Sequence, residues 1–437
     1  GLREPSARRR SPGCNTRFAR PGGCLMTMNR RTFLGLSGGV AASGLFGGLA
    51  LPRNAAALHS FARQSSGTAR TLVVVDLQGG NDALNTFVPQ SGLYRDLRPT
   101  IALPESDLLT FAGLEYGVHP SLASLQSLWD NGQLAALYGT GLQGQGRSHF
   151  VAQDAWRTAR PGEPARSGWL GRWLEATEPD EEVPLRAIAL GQSTLAAQGE
   201  QGRPVAIQSV EGFRLNPPRG NDDVTAAVLA MSDPAGRGVM GEAMAAFPQT
   251  VEAVIQLQEL VADVDVSDNV DQEIDVDGDQ ALFQATQAII QGNVGAQILY
   301  VTINGFDTHS GQAAQQGALL QLVADGLADL FAALETSGHA ENTLAMVVSE
   351  FGRRAAENGS LGTDHGHGGL SFLVGPPVAQ STIIGEPGLG DLVDGDLRIT
   401  IDARSIYDHA LRWLGGSDEI IVDVLGQEWN DLQLLRP

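Results

Sequence analysis

The chain has 437 residues, 42% of them hydrophobic, and a formal net charge of −21. That length suits one large domain or two ordinary ones with a sizeable apolar core. So acidic a surface excludes a binder of nucleic acid backbones or anionic lipid. All 29 basic residues are arginine. Nine of them and one acid, Glu4, precede Leu58, so losing that segment takes the charge from −21 to −29. An anionic substrate would then need a divalent ion or local arginines such as Arg147 and Arg353 to hold it. The plain reading of the acidity is solubility in a salty habitat.

Residues 1–25 are arginine-rich and unpatterned and precede two candidate initiators, Met26 and Met28. We read them as lying upstream of the true start. Asn29-Arg30-Arg31-Thr32-Phe33-Leu34 reads as a twin-arginine export signal, followed by a weakly apolar run, Phe33 to Leu51. Six glycines in that run argue against a stable membrane span. Ala55-Ala56-Ala57 suits cleavage before Leu58. The alternative is a disordered basic tail. The expectation is that residues 1–57 are removed and the product is periplasmic or extracellular. Twin-arginine export carries folded chains, which suits a cofactor loaded beforehand without requiring one. Cys14 and Cys24, the only cysteines, fall in the removed part. The remaining chain would have no disulfide, thiolate ligand or cysteine nucleophile.

Residues 58–70 read as a linker, and 71–437 as one domain. Thr71 to Val75 is a buried strand ending at Asp76, and Gly79-Gly80-Asn81-Asp82 is a turn. Further apolar strands are expected at Leu134–Tyr138, Leu185–Leu190, Gln297–Ile303, Thr343–Val348 and Leu370–Val374. Helical patterns lie between them, clearest from Ala313 to Glu335 and Ala403 to Leu414. Continuous apolar strands alternating with helices predict a three-layer α/β/α fold around a mostly parallel sheet. Residues from about 155 to 294 are less regular and read as a helical insertion. Within them, Asp263 to Asp279 is acid-rich. Glu273, Asp275, Asp277 and Gly278 imitate a calcium loop, but the twelfth position is Gln284 where a bidentate Glu is needed. A solvated acidic loop is the better reading.

Ligands in such sheets bind beyond the carboxyl ends of the strands. Asp76, Ser148, Asp307 and Glu350 all fall at that edge. Three late stretches concentrate the chemistry: Asn304 to His309, Ser349 to Arg353, and Gly362 to Gly369. They hold Asp307, His309, Glu350, Asp364, His365 and His367, a mixture suited to one or two divalent ions such as zinc, manganese or calcium. Each residue has a plain alternative. Asp76 could cap a turn, Ser148 could be the N-cap of a helix holding Ala152 to Trp156, and Glu350 and Arg353 could form a structural ion pair. His149 reads as a packed loop histidine. His119, His339 and His409 are weaker candidates, and His59 has no role. His365 and His367, set between glycines, are hardest to explain blandly, because glycine lets backbone and ligand approach closely.

In this order the motifs resemble the twin-arginine-exported domain-of-unknown-function family 1501. The matching pieces are Val75-Asp76-Leu77-Gln78-Gly79-Gly80-Asn81-Asp82, His119-Pro120, and Arg147-Ser148-His149-Phe150 with Gln153. Gly305 to His309, Ser349 to Arg353, Glu357-Asn358-Gly359, Gly362 to Gly366 and Asp402-Ala403-Arg404-Ser405 complete the set. The resemblance runs from about Leu72 to Leu414. It implies an alkaline phosphatase-like and sulfatase-like fold with a two-metal site. Asp76 would then be the first acid, Ser148 the nucleophile, Asp307 with His309 a metal pair, and His365 or His367 the late histidine. Arg147 or Arg353 would clamp the nonbridging oxygens of a phosphoryl or sulfuryl group. Glu350-Phe351 departs from the Asp-His usual in that superfamily, because phenylalanine binds no metal.

Three functions remain open on the sequence. The first is an exported metal-dependent hydrolase of phosphate or sulfate esters, with Ser148 as a possible nucleophile and a small anionic ester or a polysaccharide as substrate. The second is a non-catalytic binding or assembly protein that keeps the fold and holds a protein partner or glycan. The third is another metal enzyme, such as a phosphomutase.

Overall fold

The computed structural model describes residues 70–177, 185–191, 193–200, 205–207, 255–261, 264 and 276–436. The expected export signal, its cleavage site and all but the last residue of the linker lie outside them.

The run Thr71–Leu77 forms strand β1, and every one of its residues is buried. Its side chains alternate between two cores: Val73, Val75 and Leu77 join one, Leu72 and Val74 the other. A strand covered on both faces needs this continuous apolar run in place of polar alternation. The remaining strands are β2 (Phe87–Val88), β3 (Gly117–Val118), β4 (Leu134–Gly141), β5 (Ala187–Leu190) and β6 (Val205–Ile207). They continue with β7 (Ile298–Ile303), β8 (Thr343–Val348), β9 (Gly369–Val374), β10 (Thr382–Ile384) and β11 (Ile401–Asp402). The main sheet has the order β10-β4-β9-β8-β1-β7-β5-β6, with β11 also on β4; β2 and β3 form a separate antiparallel pair. All pairings in the main sheet are parallel except those of β9, which runs against both β4 and β8. The β8–β9 connection contains no crossover helix, so the chain returns antiparallel.

The helices are α1 (Gly92–Leu97), α2 (Gln126–Asp130), α3 (His149–Thr158), α4 (Trp169–Thr177), α5 (Val276–Gln291), α6 (Gln312–Ser337), α7 (Ala403–Trp413) and α8 (Asp418–Leu425). The first core holds the apolar faces of α5 and α6, including Phe283, Leu319, Leu327 and Phe331. The second holds Trp156 of α3, Trp169 and Trp173 of α4, Ile406 and Tyr407 of α7, and Ile421 of α8. The result is three layers, helices on both faces of one sheet. Each fully buried Leu, Val or Phe contributes about 1.5–3 kcal/mol. Trp169 and Tyr407 stack with ring centroids 4.2 Å apart, joining α4 to α7. Helix α6 is apolar and long enough to cross a membrane, yet one side of it is buried in the first core.

Within the stretch read as an insertion, the described parts extend the layered core. Helix α4 packs on α8, and β5 and β6 lengthen the sheet beyond β7. Residues 208–254 and 265–275, with most of the expected insertion and acidic loop, lie outside the described residues. Asp277 and Gly278 fall in the first turn of α5.

The register sets up the site. Asp76 lies opposite Thr302 of β7 and Val348 of β8. The loops after these two strands therefore leave on either side of the end of β1.

Candidate metal centre

Four loops meet beyond the carboxyl ends of the parallel strands: those after β1, β4 and β7, and the long β8–β9 connection. Gly79 has φ +118°, and a Cβ there would run into the backbone of Phe306 and Asp307, so only glycine allows this contact. Gly366 likewise sits against the backbone of Arg353.

Arg353 ties the loops together. It is 1% exposed. Its Nε donates to the Gly80 carbonyl (2.8 Å) and Nη1 to that of Thr363 (2.8 Å). Its Nη2 donates to the Gly79 and Phe306 carbonyls and to Asp307 Oδ1 (2.6 Å). The substrate clamp expected of Arg353 is therefore not the role this geometry gives it, because its donors are spent on backbone carbonyls and Asp307.

Three imidazoles surround Asp307. His365 Nε2 lies 3.0 Å and His309 Nε2 3.1 Å from its Oδ1, and His149 Nε2 lies 3.3 Å from its Oδ2. His309 Nε2 and His365 Nε2 are 2.9 Å apart. The other ring nitrogens settle the tautomers. His365 Nδ1 is 2.9 Å from the Arg147 carbonyl oxygen, His149 Nδ1 2.8 Å from Glu350 Oε1, and His309 Nδ1 3.3 Å from Asp364 Oδ1. Carbonyls and carboxylates only accept, so each Nδ1 carries a proton. In the neutral rings each Nε2 is then a bare lone pair. Three lone pairs thus face one carboxylate, and His149, Asp307 and His365 each offer a ligand atom within 4.8 Å of the other two. A proton would answer one of these contacts, whereas a cation answers them all. A zinc ion with ligands at about 2.0–2.1 Å in tetrahedral array spaces them about 3.3 Å apart, close to the spacing of the three imidazoles from Asp307, although His309 lies outside the compact set of His149, Asp307 and His365.

The surroundings reinforce the arrangement. Burial opposes ionisation of Asp307, but the close approach of His365 and the hydrogen bond and charge of Arg353 hold its carboxyl far below the usual carboxylate range. The hydrogen bond to Glu350 raises the His149 pKa. Asn358 and then His309 lower that of Asp364. Phe351, a departure from a metal ligand, is buried with its ring 5.0 Å from His149 and 4.7 Å from His365, so it supports both imidazoles. The side chain of Asp307 is 46% exposed, which leaves one side of the centre open to solvent.

Glu350, expected as a ligand, lies behind His149 at 1% exposure. Both its oxygens accept from the Gly79 N–H (2.9 and 3.1 Å), and Oε1 also accepts from Gln153 (3.2 Å). It orients the imidazole and increases its basicity. Glu350→Gln should lower metal affinity about ten- to hundredfold while the fold survives. Competition with a chromogenic chelator, beside a thermal melt, checks this; unchanged affinity would deny Glu350 the role.

Other expected residues lie elsewhere. Asp76 is buried and bound by Arg157 Nη2 (3.0 Å) and Tyr300 Oη (2.9 Å). Burial pushes its carboxyl up, against the pull of Arg157. A guanidinium thus takes the place of the ion expected there. Asp364 supports His309. His367 Nδ1 pairs with Asp396 Oδ2 at 2.7 Å, and Arg147 Nη2 pairs with the same oxygen. Ser148 is exposed at the start of α3, and its hydroxyl makes no capping bond. His119 accepts from the Ser121 N–H and is lowered to about 4 by burial, a structural histidine.

Sequence reasoning missed His149, Gln153 and Arg157 as one unit. They recur every four residues along one face of α3, and they meet Glu350, Glu350 again, and Asp76. That spacing, directly after β4, was the available signal. Asp396 left no such trace.

Residues 105–393 match the family described as "Protein of unknown function (DUF1501)". No curated protein matches the chain. Among solved structures, it is similar to a protein in the alkaline phosphatase superfamily from Vibrio parahaemolyticus, at 11% identity and TM-score 0.38, over 85% of this chain and 72% of that one. It is similar to the PsFucS1 sulfatase from Pseudoalteromonas sp., at 13% identity and TM-score 0.38, over 88% and 80%. The phosphonate monoester hydrolase SpPMH from Silicibacter pomeroyi is similar at 10% identity and TM-score 0.34, over 83% and 78%.

Proposed function

The chain belongs to the DUF1501 family, and from the geometry of its site we propose that it is a metal-dependent hydrolase of phosphate or sulfate esters. One divalent ion would be held by His149, His365 and Asp307, with His309 beside His365 and Asp307 as a further donor. The observation that carries this reading is the convergence of three Nε2 lone pairs on one carboxylate, each ring fixed by an acceptor on its Nδ1. Of zinc, manganese and calcium, so imidazole-rich a set favours zinc, since calcium takes oxygen ligands. Asp76 is held by Arg157 and Tyr300, which supports one ion over two.

Such an ion would polarise the ester and lower the pKa of a nearby hydroxyl. The chain's own residues would do the rest. Arg353 fixes Asp307, Glu350 and Phe351 fix His149, and the Arg147 carbonyl fixes His365. Ser148, next to His149 and free of a capping role, is our candidate nucleophile. Ser148→Ala should keep its metal and lose roughly a thousandfold or more in turnover of aryl phosphate or aryl sulfate, as when a covalent nucleophile is removed. Turnover within a few-fold of wild type would remove Ser148 from the reaction.

We place the protein outside the cytoplasm, exported by the twin-arginine route with its metal already loaded. Its substrate is a small anionic ester or an anionic polysaccharide. The motive is the Asn29–Leu34 signal with the small-residue site at Ala55 to Ala57. Fractionation of cells expressing an Arg30→Gln/Arg31→Gln variant should find it retained inside.

A further inference from the structure

We propose that Arg147, Arg354 and His367, gathered on the buried Asp396, form an oxyanion subsite beside the metal centre, where a second anionic group of the substrate docks. The naming of that ligand as part of an ester substrate rests on the function proposed above; the anion binding does not.

Asp396 has no exposure, yet three basic side chains reach it from the outside. Arg147 and His367 share its Oδ2, and Arg354 Nε lies 3.7 Å from its Oδ1. Each of these three is about one-third exposed, so its inner part is pinned and its outer part faces water. Two guanidiniums against one carboxylate leave positive charge in excess on a strongly acidic molecule. Asp364 also acts on Arg354, but its own hydrogen bonds go to Asn358 and His309.

The cluster is not satisfied by protein alone. Arg147 Nε is buried without a hydrogen-bond partner; so is Asp396 Oδ1, an acceptor that an anion would not answer. Arg354 makes the long ion pair and no side-chain hydrogen bond among the described residues. Buried polar atoms without partners are rare in native proteins. An oxyanion would supply the acceptor that Arg147 Nε lacks, and the planar fork of Arg354 suits two of its oxygens.

The subsite shares its backbone with the metal centre. The carbonyl of Arg147 holds His365 Nδ1, the Arg354 N–H donates to the Asp364 carbonyl (3.0 Å), and His367 follows His365 by two residues. A substrate with its scissile ester at the histidines would therefore lay a neighbouring charged group on these arginines. That favours multiply charged esters, such as a repeatedly sulfated or phosphorylated chain, over a lone monoester.

Calorimetric titration of the purified protein with inorganic sulfate, at constant ionic strength, tests this. Wild type should bind one sulfate saturably. Arg147→Gln and Arg354→Gln should each weaken binding at least about tenfold, the loss of one charge-assisted hydrogen bond. Arg354→Gln is the safer variant, since Arg354 is half-buried and not hydrogen-bonded through its side chain. Asp307→Ala/His365→Ala should bind sulfate as wild type does, which separates this site from the metal. Three results would overturn the proposal: no saturable binding, equal affinity in both arginine variants, or binding lost only with the metal ligands. An adventitious low-affinity ion only, insensitive to every substitution, would count as the second of these.

Discussion

Replacing His365 by alanine is expected to release the metal ion, with affinity falling by more than the ten- to hundredfold typical of outer partners. His365 supplies the imidazole nitrogen nearest to both His309 Nε2 and Asp307 Oδ1, at 2.9 and 3.0 Å. Its ring is held by the Arg147 carbonyl and by the face of Phe351, so no neighbouring donor can swing into its place. The half-exposed site should tolerate the smaller side chain, and melting in excess chelator should match wild type. Competition against a chelator of known affinity measures the effect. Affinity within a few-fold of wild type would mean that His365 is not a ligand.

The second large effect is on stability. Arg98→Met should destabilise the protein by about 3–5 kcal/mol, because it strands the buried carboxylate of Asp82 without its counter-ion. Arg98 and Asp82 are 0% and 1% exposed in their side chains. Arg98 also donates to Asn85 Oδ1 (2.7 Å) and to the carbonyls of Ala355 (2.8 Å) and Arg354 (3.0 Å). It therefore binds the loop after β1 to the loop after β8, the two that carry Gly79 and Glu350. Denaturant unfolding followed by fluorescence should show the lower midpoint. A loss under 1 kcal/mol would show that Asp82 finds another partner, Gln312 being the neighbour that already donates to it.

The main strands and long helices were legible because each is a local pattern. Thr343–Val348 was expected and observed with the same ends, and Gln312–Ser337 contains the expected Ala313–Glu335. A mostly parallel sheet followed from apolar runs separated by helices. The reversal of β9 was not legible, because strand direction depends on a connection whose path is tertiary. At the site, Asp307, His309 and His365 could be picked out from the density of ligand types in short glycine-rich loops. The parts played by Glu350, Arg353 and Asp76 could not. Each is decided by what faces it across the sheet edge: His149 for Glu350, four carbonyls for Arg353, Arg157 for Asp76. Such a partner comes from hundreds of residues away or from a helix face read only as packing.

The most direct test is elemental analysis of the folded wild-type protein beside Asp307→Ala/His365→Ala. One equivalent of a divalent ion, zinc foremost, that disappears in the variant is the predicted result. No metal in a well-folded wild type would contradict the account and favour a binding or assembly protein on this fold. Two equivalents would contradict the assignment of Asp76 to Arg157.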